Sequence, residues 1–316
     1  MLTSFRLAWR LNRIELALFS AAVIFVSIAL VWLGWLASTM IGANPTCFYH
    51  GIPGVTPSDS PSCRALNLLF SEQMTWERTL NLGLAATAAP FVLGTLLGAP
   101  IVAKEIEHRT AGMAWTLARS RSAWLVQRLL PVALVLVVAL VLIGVAGSWF
   151  EDARFNTGFW RGYSPWWLLV ARGLLTLGLG VMSGTLIGRV LPAVLLTTLA
   201  CVVFLPIGIV MDRQLESEAI WVAETDLQQV AGARSIGGRT MYRDNATGDL
   251  INMDDYYREN PDGTAIDNAV GLTLSELVVP ASRYVEFTLR ETAIAAGLAL
   301  IAGVAAFALV RRRRPY

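Results

Sequence analysis

The sequence is short of the residues that catalysis in water depends on. Only 15% of its 316 residues are charged, against about 25% in soluble globular chains. Its 25 basic residues include a single lysine, Lys104; there are two histidines, His50 and His108, and three cysteines, Cys47, Cys63 and Cys201. Each scarcity excludes something. The one lysine follows Ala103, so no Gly-Lys-Ser/Thr exists and the chain binds no nucleotide through a P-loop. There is no HExxH, no CxxC and no acidic cluster inside an apolar run, so no metal site is expected. An intramembrane serine protease would need Gly-x-Ser-Gly and a facing histidine. Around Ser183 the chain reads VMSG, with Val181 at the first glycine, and neither histidine lies in an apolar run. The expectation is a chain with no catalytic residues, no cofactor of its own and no nucleic-acid partner.

What the sequence has is apolar length. Hydrophobic residues make up 55%, and the mean hydropathy is +0.56. A bilayer crossing takes about 20 residues at about 1.5 Å each. The runs Leu16 to Leu36, Thr79 to Ala103, Leu130 to Phe150, Val190 to Met211 and Thr292 to Val310 are uncharged, and Trp166 to Gly188 is broken only by Arg172. The first run exceeds a signal-peptide core and lacks a small-x-small site after it, so it reads as a retained helix. The fold class that follows is an all-α membrane protein of six transmembrane helices. Pro90, Pro100, Pro131, Pro192 and Pro206 fall in or beside these runs, with Gly83, Gly94 and Gly98; proline removes a helix hydrogen bond and invites a bend.

Charge orients the path. Short loops rich in arginine and lysine stay in the cytoplasm. Arg6, Arg10 and Arg13, the loop Lys104 to Ser122, Arg189, and Arg311 to Arg314 all fall on one side of a six-helix path, which places both termini inside. The segments 37–77, 151–165 and 212–287 then lie outside, the last with 14 acidic and 6 basic residues, a net of −8. Trp32, Trp35, Trp166 and Trp167 sit where an outer aromatic belt would be. Cys47 and Cys63 share the outer side, where an oxidising compartment favours a disulfide over two free thiols. Cys201, mid-span, reads as a small buried hydrophobe.

The organisation expected is an interfacial N-terminal helix and first span over 1–36 and an outer loop over 37–77. Spans two to five follow over 78–211, with a cytoplasmic loop at 104–123. An outer subdomain fills 212–287, and the last span with its basic tail covers 288–316. In the subdomain Glu216 to Val230 reads as a helix, Leu272 to Val279 as a short amphipathic element, and Tyr242 to Asp267 as a turn-rich stretch, with disorder as its alternative. Arg172 and Glu291 are the intramembrane charges. They form an interhelical pair or line a substrate path, or else each snorkels to the headgroups.

The loop GAPIVAKEIEHRTAGMAWTLARSRSAW, Gly98 to Trp124, holds more than topology requires. Glu105 and Arg109 at i,i+4 extend the second span's helix below the membrane. Gly112 permits a turn, and Met113, Ala114 and Leu117 give a second short helix an apolar face. This loop resembles the first cytoplasmic loop of ABC-2 type permeases, the membrane subunits of ATP-binding-cassette exporters. Those loops carry an acidic helix end E-x-E-x-G-T, a coupling helix and a Ser-Arg element. Glu105, Glu107 and Thr110 match the first and Ser120 and Arg121 the last, while Arg109 stands where glycine is usual and Arg119 where proline is common. The C-terminal stretch VVPASRYVEF before the last span also looks like such permeases from actinobacteria.

The resemblance implies a multi-pass protein of the bacterial plasma membrane that forms half of a transport pathway. It implies pairing with a second permease subunit, the same or different. It also implies docking of a separate ATPase dimer, which holds the ATP and magnesium, on Glu105, Glu107, Thr110, Met113, Leu117, Ser120 and Arg121. Leu7, Leu11, Ile14 and Leu18 form a stripe fitting an interfacial helix. Export of a small molecule, drug, lipid or peptide is the expected function. A membrane-anchored sensor or scaffold acting through its outer domain is the alternative, and a secondary transporter finds no inverted repeat in the sequence.

Overall fold

The structure is a computed structural model that describes residues 13–43, 61–65, 68, 76–117, 120–153, 165–223, 234–252, 258 and 272–313. It is mostly helical. The helices are α1 (Arg13–Ala43), α2 (Trp76–Glu107), the short α3 (Ala111–Leu117), α4 (Arg121–Ala153), α5 (Trp166–Ile187), α6 (Val190–Ser217) and α7 (Ala281–Arg312). Between α6 and α7 lie four strands, β1 (Ile220–Ala223), β2 (Arg234–Asp244), β3 (Leu250–Asn252) and β4 (Leu272–Val279).

Among the described residues, five helices are long and apolar enough to cross a membrane: α1, α2, α4, α5 and α7. The sixth expected span falls on α6, whose stretch Val190–Val203 counts as a shorter apolar helix. The helices outrun the apolar cores read from the sequence. α4 begins at Arg121 instead of Leu130 and carries Pro131 inside it, because its first turns pack below the uncharged run.

α5 is the most enclosed of the five spans and touches α2, α4, α6 and α7. Its small residues let backbones close in. A Cβ on Gly98 of α2 would stand 2.5 Å from the Leu177 carbonyl oxygen of α5, and one on Gly184 2.5 Å from that of Ala99. Ser183, which drew the protease comparison, is buried on α5. Pro90 lies inside α2, and its carbonyl accepts a hydrogen bond from Thr176 Oγ1 of α5 at 2.7 Å. The bond ties α2 to α5 by a polar contact within the bundle.

A second core joins α1, α2 and α4. Leu30, Leu33, Leu136, Leu140, Ile143 and Phe150 are buried together; between membrane helices such contacts act through close packing rather than removal from water. The outward faces stay apolar, with Phe25, Leu195, Leu199, Leu300 and Ile301 more than half exposed. That pattern suits lipid and not water.

Successive long helices alternate in direction, so the bundle has two ends. Gly34 of α1 meets Trp149 and Phe150 late in α4, and Gly144 of α4 meets Trp166 at the start of α5. Trp32, Trp35, Trp149 and Trp166 are exposed towards this end, which also carries the sheet. At the other end α3 lies with Arg121, Arg189 and Arg313.

The sheet departs from the expected subdomain. α6 stops at Ser217 and β1 follows at Ile220, so the helix expected over Glu216 to Val230 is not formed through its described part; residues 224–230 lie outside the described residues. The β-branched and aromatic residues of IWVA favour a strand paired antiparallel with β4, Trp221 opposite Leu277. The order is β1-β4-β2-β3. Asn245 to Gly248, read as a turn, joins β2 towards β3, with Gly248 at φ 79.

Candidate functional site: the loop between α2 and α4

α2 ends in a Schellman motif. The Arg109 N–H reaches the Ile106 carbonyl at 3.0 Å, and the Thr110 N–H reaches the Glu105 carbonyl at 2.9 Å. Arg109, between them, has φ 57 and is the only non-glycine with positive φ among the described residues. The turn therefore falls at His108 to Thr110, and Gly112 sits inside α3. The expected turn at Gly112 is corrected: the backbone reverses where the left-handed residue is.

The same reversal removes the expected Glu105–Arg109 helix pair. The Glu105 carboxylate instead receives Arg128 of α4 at 2.8 Å and the Thr110 hydroxyl at 2.5 Å. Its partner on α2 goes elsewhere too: Glu107 Oε2 accepts the Val190 N–H at 2.9 Å and so caps the start of α6. Such a cap satisfies a donor with no partner inside its own helix. Each acidic residue thus bonds to a different helix of the bundle.

α3 docks by a face the sequence did not single out. Ala111 and Trp115, at i,i+4, are buried against Val102, Trp124, Leu125, Val181, Ala306 and Val310. Trp115 meets Trp124 edge to face at 6.2 Å. Met113, expected on the apolar face with Ala114 and Leu117, is 72% exposed. At 100° per residue, position 113 lies opposite 111 and 115. Trp115, which the sequence did not single out, is the anchor. Leu117 closes α3, and its side chain lies outside the description.

The Ser-Arg element acts at the start of α4. Ser120 Oγ accepts the Ala123 N–H at 3.0 Å, an N-cap. Arg121 lies over the Trp115 ring at 5.1 Å and donates to the carbonyls of Arg311 and Arg313, at 3.2 and 2.6 Å. Arg313 in turn donates to the carbonyl of Thr185 and, at 3.4 Å, to that of Leu186. Two guanidinium groups therefore close the carbonyl ends of α7 and α5, where positive charge is favoured.

Elsewhere, Arg172 of α5 donates from Nε to Glu291 Oε1 of α7 at 2.8 Å, with about four fifths of each side chain covered. The snorkelling reading does not describe this geometry; the two charges face each other. Arg172 lies six residues past Trp166, about 9 Å along the helix. Cys63 is disulfide-bonded and Cys201 is free and buried; Cys47 and the residues of the N-terminal stripe before Arg13 lie outside the described residues.

A helical bundle with lipid-suited faces and a structured loop at one end is a multi-pass membrane protein. Residues 20–214, more than half of the chain, match the family described as ABC-2 membrane transporter related, and the chain belongs to that family. It is accordingly a permease component of an ABC transporter, a membrane part that is not itself catalytic and that works with an ABC ATPase. No curated protein and no solved structure matches it.

Proposed function

We propose that the chain is the permease subunit of an ABC-2 exporter, and that the loop from Lys104 to Ser122 is where the ATPase presses. The observation that carries this reading is α3. It is anchored to the bundle by Trp115 and presents Met113 away from it, while Glu105, Glu107 and Arg121 tie its flanks to α4, α6 and α7. Force applied to such a helix reaches three others directly. Glu105, Glu107, Thr110, Ser120 and Arg121 are then positioning residues for the loop, and Met113 is the contact residue.

In this reading the loop end with its arginines faces the cytoplasm, α6 is the sixth span, and both termini are inside. The sheet stands outside, on the exit side of a pathway completed by a second permease subunit. A separate ATPase dimer binds the ATP and magnesium. A Cys47–Cys63 bond closes the first outer loop, and the membrane is a bacterial plasma membrane. Export of a small molecule, drug, lipid or peptide is the activity proposed.

The test is copurification of the ATPase with tagged chain, and ATP turnover, for wild type and Met113→Asp. Because Met113 is exposed, the variant should fold and insert normally yet lose ATPase binding and turnover together. Unchanged binding would remove α3 as the docking element.

A further inference from the structure

α7 is packed both against the sheet and into the cluster that holds α3. It runs 32 residues without a proline, about 48 Å at helical rise and well beyond the roughly 30 Å hydrocarbon core. At the sheet end only Pro280 separates it from β4. The Pro280 carbonyl takes the N–H groups of Arg283 and Tyr284, at 3.0 and 3.1 Å. Tyr284 packs against the buried Leu277 and Val279 of β4, as does Trp221 of β1. Arg283 adds an ion pair to Glu218 at 3.3 Å, beside the end of α6. The joint between strand and helix is therefore packed, not hinged.

At the loop end Ala306 and Val310 are 1% exposed in the cluster that holds Ala111 and Trp115 of α3. The last carbonyls of α7 are gripped by Arg121, one residue after the cap of α4. Between the two joints, Ala295 and Ala302 lie against Ala171, Leu175 and Leu179 of α5, a shallow small-residue seam. One polar tether crosses that seam, Arg172 to Glu291.

We propose that α7 is a transmission rod that makes the β1–β4 sheet and the α3 loop one mechanical unit, so that a load or ligand on the sheet alters the loop and the reverse. A continuous helix anchored by side chains at both ends can pass displacement along its length, because packed interfaces resist compression. Linkage requires the coupling to act in both directions. The sheet thereby becomes a regulatory surface on the opposite side from α3. This inference needs no ATPase, so it stands or falls apart from the docking reading.

The test uses the full chain in lipid nanodiscs and hydrogen exchange read by mass spectrometry. Tyr284→Ala loosens the sheet joint and should speed exchange in Ala111–Leu117 by at least threefold. Arg121→Gln loosens the loop joint and should speed exchange in Leu272–Val279 by a similar factor. Arg290→Gln is the control: it breaks only the bond to Glu286 and the contact over Phe287, both on α7 itself, and should leave α3 unchanged. Should Tyr284→Ala fail to fold, Tyr284→Leu takes its place with the same expected direction. Exchange that changes only beside each substitution would overturn the proposal.

Discussion

Glu107 at the end of α2 accepts the backbone N–H of Val190 at the start of α6, at 2.9 Å, across 83 positions of sequence. The bond makes a testable separation between shape and charge. Glutamine keeps an acceptor oxygen in that place, whereas alanine leaves the donor unmet. Losing an N-cap costs about 1 kcal/mol. Glu107→Ala should therefore lower the thermal midpoint and the coupled ATP turnover, while Glu107→Gln keeps most of both. Glu105→Gln should behave differently, since both carboxylate oxygens are engaged, one by Arg128 and one by Thr110. A loss of about 1 kcal/mol is expected for a partly exposed charged pair. Thermal unfolding in nanodiscs checks all three; equal effects of Gln and Ala at position 107 would discard the cap.

Packing of α2 on α5 makes a second prediction. A Cβ at Gly98 would lie 2.5 Å from the Leu177 carbonyl oxygen and 3.1 Å from its Cα, both backbone atoms that cannot turn aside. Gly98→Ala should separate the helices and destabilise by about 1–3 kcal/mol. Gly297→Ala on α7 meets nothing within 4 Å and should be neutral or stabilising by up to about 1 kcal/mol. The comparison is read from thermal midpoints measured in the same lipid.

The third concerns Arg172 and Glu291. Removing one member of a fully buried pair costs about 3–5 kcal/mol, whereas replacing both with apolar residues is often nearly neutral; with about a fifth of each side chain exposed, the cost here is expected below that range. Glu291→Leu alone should sharply reduce the folded yield. Arg172→Leu with Glu291→Leu should restore much of it. A double-mutant cycle on stability gives the coupling; additive effects would mean that the pair contributes nothing.

The spans were legible because composition alone marks them: apolar runs such as Leu130 to Phe150 have few alternatives to a membrane helix. Their ends were not, since α4 continues through Arg121 to Arg128 by packing that no hydropathy window detects. The sheet was missed because β1 is only four residues long and pairs with β4 some 55 residues later, and a contact that distant leaves no local period. In the loop the acidic spacing singled out Glu105 and Glu107 but not the partners that they take. Glu105 was given Arg109 by helical spacing, which presumes that the helix continues. Trp115 as the buried face was available to sequence reading through its i,i+4 spacing from Ala111, but the more apolar look of Met113 and Leu117 concealed it. The bonds from Arg121 and Arg313 to backbone carbonyls join residues over 100 positions apart and carry no signature at all.

Arg109 offers the sharpest test of the loop. The position has φ 57 and closes a Schellman motif, the setting in which glycine has no Cβ penalty. An L-residue in the left-handed region costs about 1–2 kcal/mol. Arg109→Gly should recover part of that cost, a gain of up to about 1 kcal/mol once the extra freedom of an unfolded glycine is deducted. Arg109→Val, β-branched and far more hindered at positive φ, should destabilise and should release Thr110 from the Glu105 carbonyl. The measurement is thermal stability of the three chains, with hydrogen exchange at the Thr110 amide as the local readout. The expected order is Gly, then Arg, then Val, with Thr110 exchanging fastest in the valine variant. Equal stability of the valine and arginine chains would show that residue 109 does not hold the left-handed turn.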